Sequence, residues 1–303
     1  MRRSQVISFA LAASVSWTHA APVSDCYQDE DPKASISTCT ALIAQNPGLS
    51  AAYRSRGDAY QLAGNITAAI ADYTKAIEID PRDPDAFYRR GAAYHKLGNL
   101  DQALHDDTKA IEIDRQSYGA YYARAEVYRQ RGDFDKAISD YTAAIQANPR
   151  ATWSFIGRGE AYHKKGDQAR AIADYTKAIE INPKDAKAYF VRANAYRDSE
   201  TYEKAIADYS VYVKMRPKDA DAYNNRAWAY YSAGDPVHAL ADADKSLELR
   251  PYDAYTLDTR AHIFEILGRR ADAISDYEKA LRLNPDIEGS KEGLRRLGAA
   301  PQY

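Results

Sequence analysis

The sequence contains few of the residues that build metal clusters or a deep apolar core: its 303 residues include two cysteines, two methionines and six phenylalanines. Tyrosine is abundant, with 25 copies. A composition rich in tyrosine and poor in methionine and phenylalanine favours many small, partly hydrated packing contacts over one deep apolar core. The formal net charge is −2, so the basic surplus typical of nucleic-acid-binding proteins is absent. No segment after the N-terminal stretch is apolar enough to cross a membrane. The sequence therefore predicts neither nucleic-acid binding nor a membrane span.

The segment 1–20 has the pattern of a secretory signal peptide. Arg2 and Arg3 precede an apolar stretch from Val6 to Trp17, which is too short to span a bilayer. Small residues follow this stretch, and we expect cleavage after Ala20. A membrane-anchoring N-terminus is the alternative. The sequence therefore predicts a periplasmic or secreted protein.

A fixed period of 34 residues organises the rest of the chain. The stretch AIADYTKAIEIDP at residues 69–81 returns as AIADYTKAIEINP at residues 171–183. When Ser50 is position 1, seven units follow one another, and they begin at Ser50, Pro84, Tyr118, Thr152, Ala186, Ala220 and Ala254. A repeat of this length indicates an array of small units instead of one globular domain.

Each unit has the pattern of two helices joined by a tight turn. Position 15 is glycine in six units, which suits the left-handed residue that ends a helix, and Glu200 is the exception. Position 16 is often a residue that can cap the next helix. Position 32 is proline in six units and ends the second helix, with Arg115 as the exception. We therefore expect strain or loosening at Glu200 and a different joint at Arg115.

Apolar and small residues recur at positions that lie on one stripe of each helix. In the first helices, positions 4 and 11 are mostly aromatic, and position 8 is glycine or alanine. The second helices supply alanine at positions 20 and 27 and tyrosine at position 24 in most units. Small residues allow helices to approach and large ones fill the space opposite. A single helix pair cannot bury its own apolar face, so each unit needs neighbours.

This set of residues at fixed positions resembles the tetratricopeptide repeat over residues 50–287. The resemblance implies an all-α fold, a right-handed α-solenoid of seven 34-residue helix-turn-helix repeats. An N-terminal half-repeat at 21–49 and a C-terminal capping helix and tail at 288–303 would flank it. Departures from the family pattern occur at Asp107, Ala243, Tyr212 and Arg115, and they concern local packing. The resemblance also implies a non-enzymatic scaffold that binds other proteins.

The two cysteines, Cys26 and Cys39, lie in the predicted half-repeat at positions where later units usually have tyrosine. Asp31 and Pro32 have the pattern of an N-cap and a first-turn proline, which open a helix that ends near Asn46. In an exported chain, two thiols so placed are expected to form a disulfide. Closing that loop would stabilise the fold by roughly 3 kcal/mol. A reactive or metal-binding pair is the alternative, although no histidine or third thiol lies nearby in the sequence.

Position 7 is arginine and position 23 is aspartate in all seven units, although the family pattern does not require this pair. Arginine can engage a carboxylate with two hydrogen bonds, so we expect ion pairs between first and second helices, within a unit or between adjacent units. Shared descent of the copies, with solvated charges, is the alternative. The expected structural ion pairs include Arg56, Asp72, Arg158, Asp174, Arg192 and Asp208.

No catalytic motif accompanies the repeats. The sequence contains no glycine-rich phosphate loop after a strand, no HExxH, no GxSxG and no paired CxxC. His95 and His163 share position 12 but lie two units apart, which is too far to bind one ion because packed helices are roughly 8–10 Å apart. We therefore expect no enzyme activity, no metal and no cofactor. An enzyme of unrecognised type is the alternative.

By resemblance, positions 2, 5, 9 and 12 of the first helices line a concave face that binds an extended peptide or a partner helix. Apolar side chains beside a row of basic groups on this face would suit an acidic or amphipathic protein segment. The alternative is that these aromatic side chains only pack between units. The candidate partner-binding residues are Tyr88, His95, Tyr122, Arg129, Trp153, Ile156, His163, Phe190, Asn194, Arg197, Asn224, Trp228 and Tyr231.

One ligand mode of the family, a carboxylate clamp for chaperone tails, can be tested residue by residue. Asn194 and Asn225 match that pattern, but Phe190, Tyr255 and Thr259 occupy the positions of its cations. We therefore expect no such clamp. Two functions remain, which are an adaptor that binds a peptide or helix on its concave face and an assembly module that self-associates through its ends or convex face.

Overall fold

The computed structural model describes Cys26 and residues 31–299. These residues form 16 α-helices and no β-strand, in helix-turn-helix repeats, which confirms the predicted all-α fold class of the solenoid type. The predicted signal peptide lies outside the described residues. The chain divides into two larger parts, which are distinct from the 34-residue repeats: the first unit ends at Asn99 and the second unit begins at Leu100.

The first unit contains the N-terminal helix and three helices of the repeats. Each helix packs against the next one in sequence. The Asp31 carboxylate caps the first helix by accepting a hydrogen bond from the Ala34 amide, and a disulfide joins Cys39 of this helix to Cys26. The helices are α1 (Pro32–Gln45), α2 (Ser50–Leu62), α3 (Ile66–Ile79) and α4 (Pro84–Lys96).

The second unit contains twelve helices. Successive helices pack against each other, and the first helices of adjacent repeats also touch, so that α6, α8, α10, α12, α14 and α16 form one continuous row. We call the surface of this row the first-helix face. The helices are α5 (Leu100–Ile113), α6 (Tyr118–Gln130), α7 (Phe134–Ala147), α8 (Thr152–Lys164), α9 (Gln168–Ile181), α10 (Ala186–Asp198), α11 (Tyr202–Met215), α12 (Ala220–Ser232), α13 (Pro236–Leu249), α14 (Ala254–Ile266), α15 (Arg270–Leu283) and α16 (Glu288–Arg296).

The turns within the repeats follow the sequence pattern closely. The position-15 glycines have positive φ, as at Gly166 with +81°. Glu200 adopts the same left-handed conformation with φ of +55°, although a side chain makes it costly. The position-16 residues act less uniformly. Asp167 accepts a hydrogen bond from a helix amide, whereas Asp133 and Thr201 make no such cap.

The expected difference at Arg115 is wrong. The joint between α5 and α6 has the same four-residue length as the joint between α7 and α8, which contains a proline. Both are closed by a hydrogen bond between the first and last loop residues, from Ser117 to Asp114 and from Ala151 to Asn148. The Asp114 side chain also accepts from the Gln116 amide, so proline is not needed to form this turn.

The position-24 tyrosines fill the space between helices and explain the small residues opposite them. A Cβ added at Gly159 would lie 2.5 Å from the Tyr175 ring of the same repeat. A Cβ added at Gly157 would lie 2.5 Å from the ring of Tyr141 in the preceding repeat. The Tyr175 ring therefore packs against the α8 backbone of its own repeat, and the Tyr141 ring packs against the α8 backbone of the next repeat.

The predicted arginine and aspartate positions meet within single repeats. In six of the seven repeats the arginine Nε lies 2.6–2.8 Å from a carboxylate oxygen of the aspartate. The hydrogen bond to Asp174 is the main cause that raises the pKa of Arg158, and the corresponding aspartate does the same for Arg56 and Arg192. The pairs are Arg56–Asp72, Arg124–Asp140, Arg158–Asp174, Arg192–Asp208, Arg226–Asp242 and Arg260–Asp276.

Candidate functional site

A cleft of about 410 Å³ opens at the edge of the first-helix face, where three helices of two adjacent repeats contribute side chains. Trp153 comes from the first turn of α8, Lys187 and Phe190 from α10, and Tyr212 and Arg216 from the end of α11. We call this the aromatic cleft. The Phe190 and Tyr212 rings lie 4.9 Å apart, and Trp153 is 54% exposed. Large exposed aromatic side chains that converge on a concavity are typical of peptide-binding surfaces.

Positive charge surrounds this cleft. Lys184 and Arg216 line it, are exposed and form no ion pair within the described part of the chain. Lys187 Nζ lies over the Trp153 ring at 5.9 Å and 2.8 Å from a Glu160 carboxylate oxygen. Asp185 is the one acid among the lining residues. The cleft thus combines apolar surface with a cationic rim.

Repeated hydrogen bonds join position 24 to position 9 beneath the first-helix face. The Tyr141 hydroxyl donates to Glu126, and the Tyr209 hydroxyl donates to Asn194. In the first unit, Tyr73 donates to Asp58 in the same way. Each donor lies 15 residues after its acceptor, so this bond belongs to the geometry of the repeat.

Repeat four departs from this pattern. The Tyr175 hydroxyl is buried and has no hydrogen-bond partner in the structure, although Glu160 lies 15 residues before it. Glu160 is instead bonded to Lys187, and its second oxygen lies 3.6 Å from Arg129. Burial, followed by the charge of Glu160, raises the pKa of Tyr175. A buried hydroxyl without a partner costs free energy.

Three basic side chains that the sequence assigned to partner binding contact acids of the chain itself. Arg129 donates to Glu126 at 2.6 Å. Arg197 and His163 both contact Asp198, at 2.9 and 2.8 Å. These pairs neutralise the predicted basic row, and the unpaired positive charge lies instead at Lys184 and Arg216.

A second aromatic group lies on α12 and α14. The Trp228 ring lies 5.1 Å from the Tyr231 ring and 5.9 Å from the His262 ring. Asn224 is half-buried, and its Oδ1 has no hydrogen-bond partner. These side chains pack between neighbouring first helices while retaining partial exposure. They extend the polar and aromatic surface beyond the aromatic cleft.

The candidate residues from the sequence are distributed over both units. Tyr88 and His95 lie on α4 of the first unit, whereas the others belong to the second. Ile156 is only 1% exposed because it packs with Ala178 and Ala188 in the core, so its assignment to partner binding is corrected. Tyr122 is half-buried, and its ring lies 5.9 Å from the Tyr141 ring.

Four lining residues of the aromatic cleft were missed as partner contacts: Lys184, Lys187, Tyr212 and Arg216. Lys187 occupies position 2, the same position as Trp153, and could have been found from that equivalence. Tyr212 was noticeable as a large residue at position 27, where alanine is usual. Lys184 and Arg216 lie next to the joints between repeats and carry no periodic signal.

Neither a metal-binding cluster nor a membrane-spanning helix occurs among the described residues, Cys26 and 31–299. No group of histidine, cysteine or acidic side chains among them could hold a metal ion. None of their helices is long and apolar enough to cross a membrane.

The packed helix pairs and the exposed aromatic cleft place this chain in the class of helical-repeat proteins. Family models described as "TPR repeat" and "Tetratricopeptide repeat" match residues 57–98, 84–117, 122–186, 190–254 and 254–287. Together these matches cover more than half of the chain, which therefore belongs to the tetratricopeptide repeat family. Proteins of this family generally act as non-enzymatic protein-interaction scaffolds. No curated protein matches the chain.

Solved structures share the fold. YrrB, described as "a TPR protein with an unusual peptide-binding site", is 24% identical with a TM-score of 0.55, covering 61% of this chain and 95% of its own. A TPR repeat-containing protein from Cytophaga hutchinsonii is 20% identical with a TM-score of 0.63, covering 78% and 98%. Pseudomonas aeruginosa pilF is 19% identical with a TM-score of 0.62, covering 72% and 100%. At these sequence identities, the similarity shows a shared fold and gives no information about function.

Proposed function

We propose that the chain is a non-enzymatic adaptor that binds a peptide or helical segment of a partner protein on its first-helix face, the predicted concave side. The aromatic cleft is the observation that carries this proposal. Trp153, Phe190 and Tyr212 present apolar surface from two adjacent repeats, and a bound segment commonly anchors one or two of its side chains on such a surface. YrrB, described as a TPR protein with an unusual peptide-binding site, offers a parallel within the same fold.

The rim of the aromatic cleft favours an acidic or amphipathic segment. Lys184 and Arg216 are exposed and unpaired within the described residues, so a carboxylate of the partner could approach them without breaking an ion pair. We do not propose a chaperone-tail carboxylate clamp, which the sequence predicts to be absent, because Phe190 lies in the cleft at a position where that clamp needs a cation.

The proposed location is the periplasm or the outside of the cell. The signal-peptide pattern at 1–20 supports export, and the disulfide between Cys26 and Cys39 supports an oxidising compartment. Fractionation of cells that produce the full chain tests this proposal. The mature protein should appear in the periplasmic fraction or the medium with a new N-terminus after Ala20. Retention of the whole protein in the cytoplasm would contradict it.

Affinity capture from a periplasmic extract tests the binding site. Trp153→Ala and Phe190→Ala should each abolish capture of a partner that the wild-type protein retains. Tyr252→Ala is the matched control, because Tyr252 is 83% exposed but does not line the aromatic cleft. Capture that survives both cleft substitutions would contradict the proposal.

The alternative is an assembly module that self-associates through its ends or convex face. Exposed Tyr252 and Leu283 border a second groove of about 480 Å³ formed by α13, α14 and α15, which is the observation that favours this alternative. Sedimentation of the purified chain over a range of concentrations separates the two functions. A concentration-dependent oligomer that Tyr252→Ala disrupts, with Trp153→Ala unchanged, would support self-association.

A further inference from the structure

Glu160 occupies one of two arrangements that the repeat geometry makes available. In the structure it accepts from Lys187, whose Nζ lies 2.8 Å away. Repeats one, three and five define the second arrangement, in which the position-9 side chain accepts the hydroxyl proton of the position-24 tyrosine. Tyr175 is in place for that bond, because its ring packs against Gly159, the neighbour of Glu160. Its hydroxyl nevertheless has no partner.

Lys187 links the arrangement of the Glu160 side chain to the aromatic cleft. Its side chain is 47% exposed, lines the cleft and lies over the Trp153 ring. An acidic group in the cleft would therefore meet Lys187 directly and compete with Glu160 for the ammonium group. Glu160 is only 21% exposed and stays within 3.6 Å of Arg129, so its charge keeps a partner if Lys187 is withdrawn.

We propose that a carboxylate of the bound protein segment displaces Glu160 from Lys187, and that Glu160 then accepts the hydrogen bond of Tyr175. This inference rests on the proposed binding function and names the chemistry of the partner. The exchange satisfies a buried hydroxyl that has no partner in the free protein, so binding gains a hydrogen bond inside the receptor. A neutral apolar segment could occupy the cleft but would not trigger the exchange.

Lys187 and Glu160 together then make the aromatic cleft selective for segments that carry a carboxylate. Glu160 competes with weak anionic ligands, and only a group that replaces it at Lys187 obtains the full affinity. Lys184 and Arg216 at the rim attract the acidic segment towards the cleft.

Binding of two synthetic peptides to the purified full-length protein tests the inference. One fluorescein-labelled probe is a short peptide rich in Glu with one Phe and one Leu, and the other has every Glu replaced by Gln. We expect the acidic peptide to bind more tightly than the neutral peptide. Equal binding of the two, or no binding of the acidic peptide, would overturn the inference. The proposed binding function is judged separately, by partner capture with Trp153→Ala.

Tyr175→Phe tests the exchange itself. It removes one hydroxyl that has no partner in the free protein, so the melting temperature should not fall. Affinity for the acidic peptide should fall about tenfold, the usual effect of losing a hydrogen bond to a charged group. Tyr209→Phe is the matched control, because its bond to Asn194 exists before binding and its loss should leave affinity unchanged.

The Glu160→Gln background separates the exchange from a general electrostatic effect. The neutral amide of this variant would bind Lys187 weakly and could accept from Tyr175 in the free protein. The acidic peptide should bind this variant more tightly than it binds the wild type, and adding Tyr175→Phe should no longer change the affinity. Wild-type affinity in the single Tyr175→Phe variant, or an equal loss in both backgrounds, would overturn the inference.

Discussion

Arg158 donates two hydrogen bonds to Asp174 of its own repeat, through Nε and Nη2, and both nitrogen–oxygen distances are 2.8 Å. Its remaining Nη1 donates to Thr142 in the preceding repeat at 3.0 Å. The same three bonds recur around Arg124, Arg192 and Arg226. One guanidinium therefore joins two helices of a repeat and also links that repeat to its neighbour.

Asp174→Ala is expected to lower the free energy of unfolding by about 3–5 kcal/mol, because it leaves a largely buried arginine without its carboxylate partner. The Asp174 and Arg158 side chains are only 9% and 18% exposed. Glu180→Ala on the same helix is the control, since the Lys177–Glu180 pair is more than half exposed and should contribute less than about 1 kcal/mol. Urea unfolding of the three proteins measures the difference. An unchanged midpoint for Asp174→Ala would reject the buried pair.

Thr142→Val should weaken the link between adjacent repeats by about 1–3 kcal/mol, because it removes the acceptor of a hydrogen bond from a charged group. Thr142→Ser should preserve most of the stability, since Ser210 accepts the equivalent bond from Arg226 at 3.0 Å. Thermal or urea unfolding measures the effect. Wild-type stability of Thr142→Val, with a loss in Thr142→Ser, would show that the methyl group, and not the hydroxyl, is the important contact.

Glu200→Gly should raise the free energy of unfolding by about 1 kcal/mol, because φ of +55° is costly for a residue with a side chain. The reciprocal variant Gly166→Ala, at φ of +81°, should lower it by a similar amount. Both residues form the same turn. The Glu200 amide donates to the Arg197 carbonyl and the Gly166 amide donates to the His163 carbonyl, each at 2.9 Å. Urea unfolding of both variants measures these changes. A stability loss in Glu200→Gly would mean that the Glu200 side chain contributes more than its backbone strain costs.

The sequence predicted the helices and their turns well because those features repeat. Glycine at position 15 and tyrosine at position 24 each satisfy a local geometric need that recurs every 34 residues. The candidate site was harder to predict because it depends on single residues that break the period. Tyr212 and Arg216 enter the aromatic cleft from the end of a second helix, which no first-helix position could indicate.

Charge pairing was equally hard to read from the pattern. Arg129 and Arg197 occupy the predicted surface positions, but their nearest acids come from Glu126 on the same helix and from the adjacent Asp198. Which acid a flexible cation selects depends on side-chain geometry across several helices. Periodicity alone therefore overestimated the free positive charge of the first-helix face.

Asp107 makes stability depend on pH. It lies on α5 at position 24 of the second repeat and is fully buried. Neither of its carboxylate oxygens has a hydrogen-bond partner among the described residues. Burial, followed by the charge of Asp106, raises the pKa of Asp107 to about 8 from the ordinary 3.8. Between these two pH values the unfolded chain loses this proton while the folded chain keeps it. The contribution of Asp107 to stability is therefore fully present below pH 3.8 and is lost as the pH rises to about 8.

Asp107→Asn should remove this dependence because the amide does not titrate. The free energy of unfolding of the variant, relative to wild type, should rise by up to about 1.4 kcal/mol per pH unit between about pH 5 and 7. Urea unfolding at several pH values measures this difference. Asp286→Asn, which neutralises an exposed carboxylate, controls for the change in net charge. Parallel pH profiles for wild type and Asp107→Asn would show that Asp107 is ionised in the folded protein throughout this range.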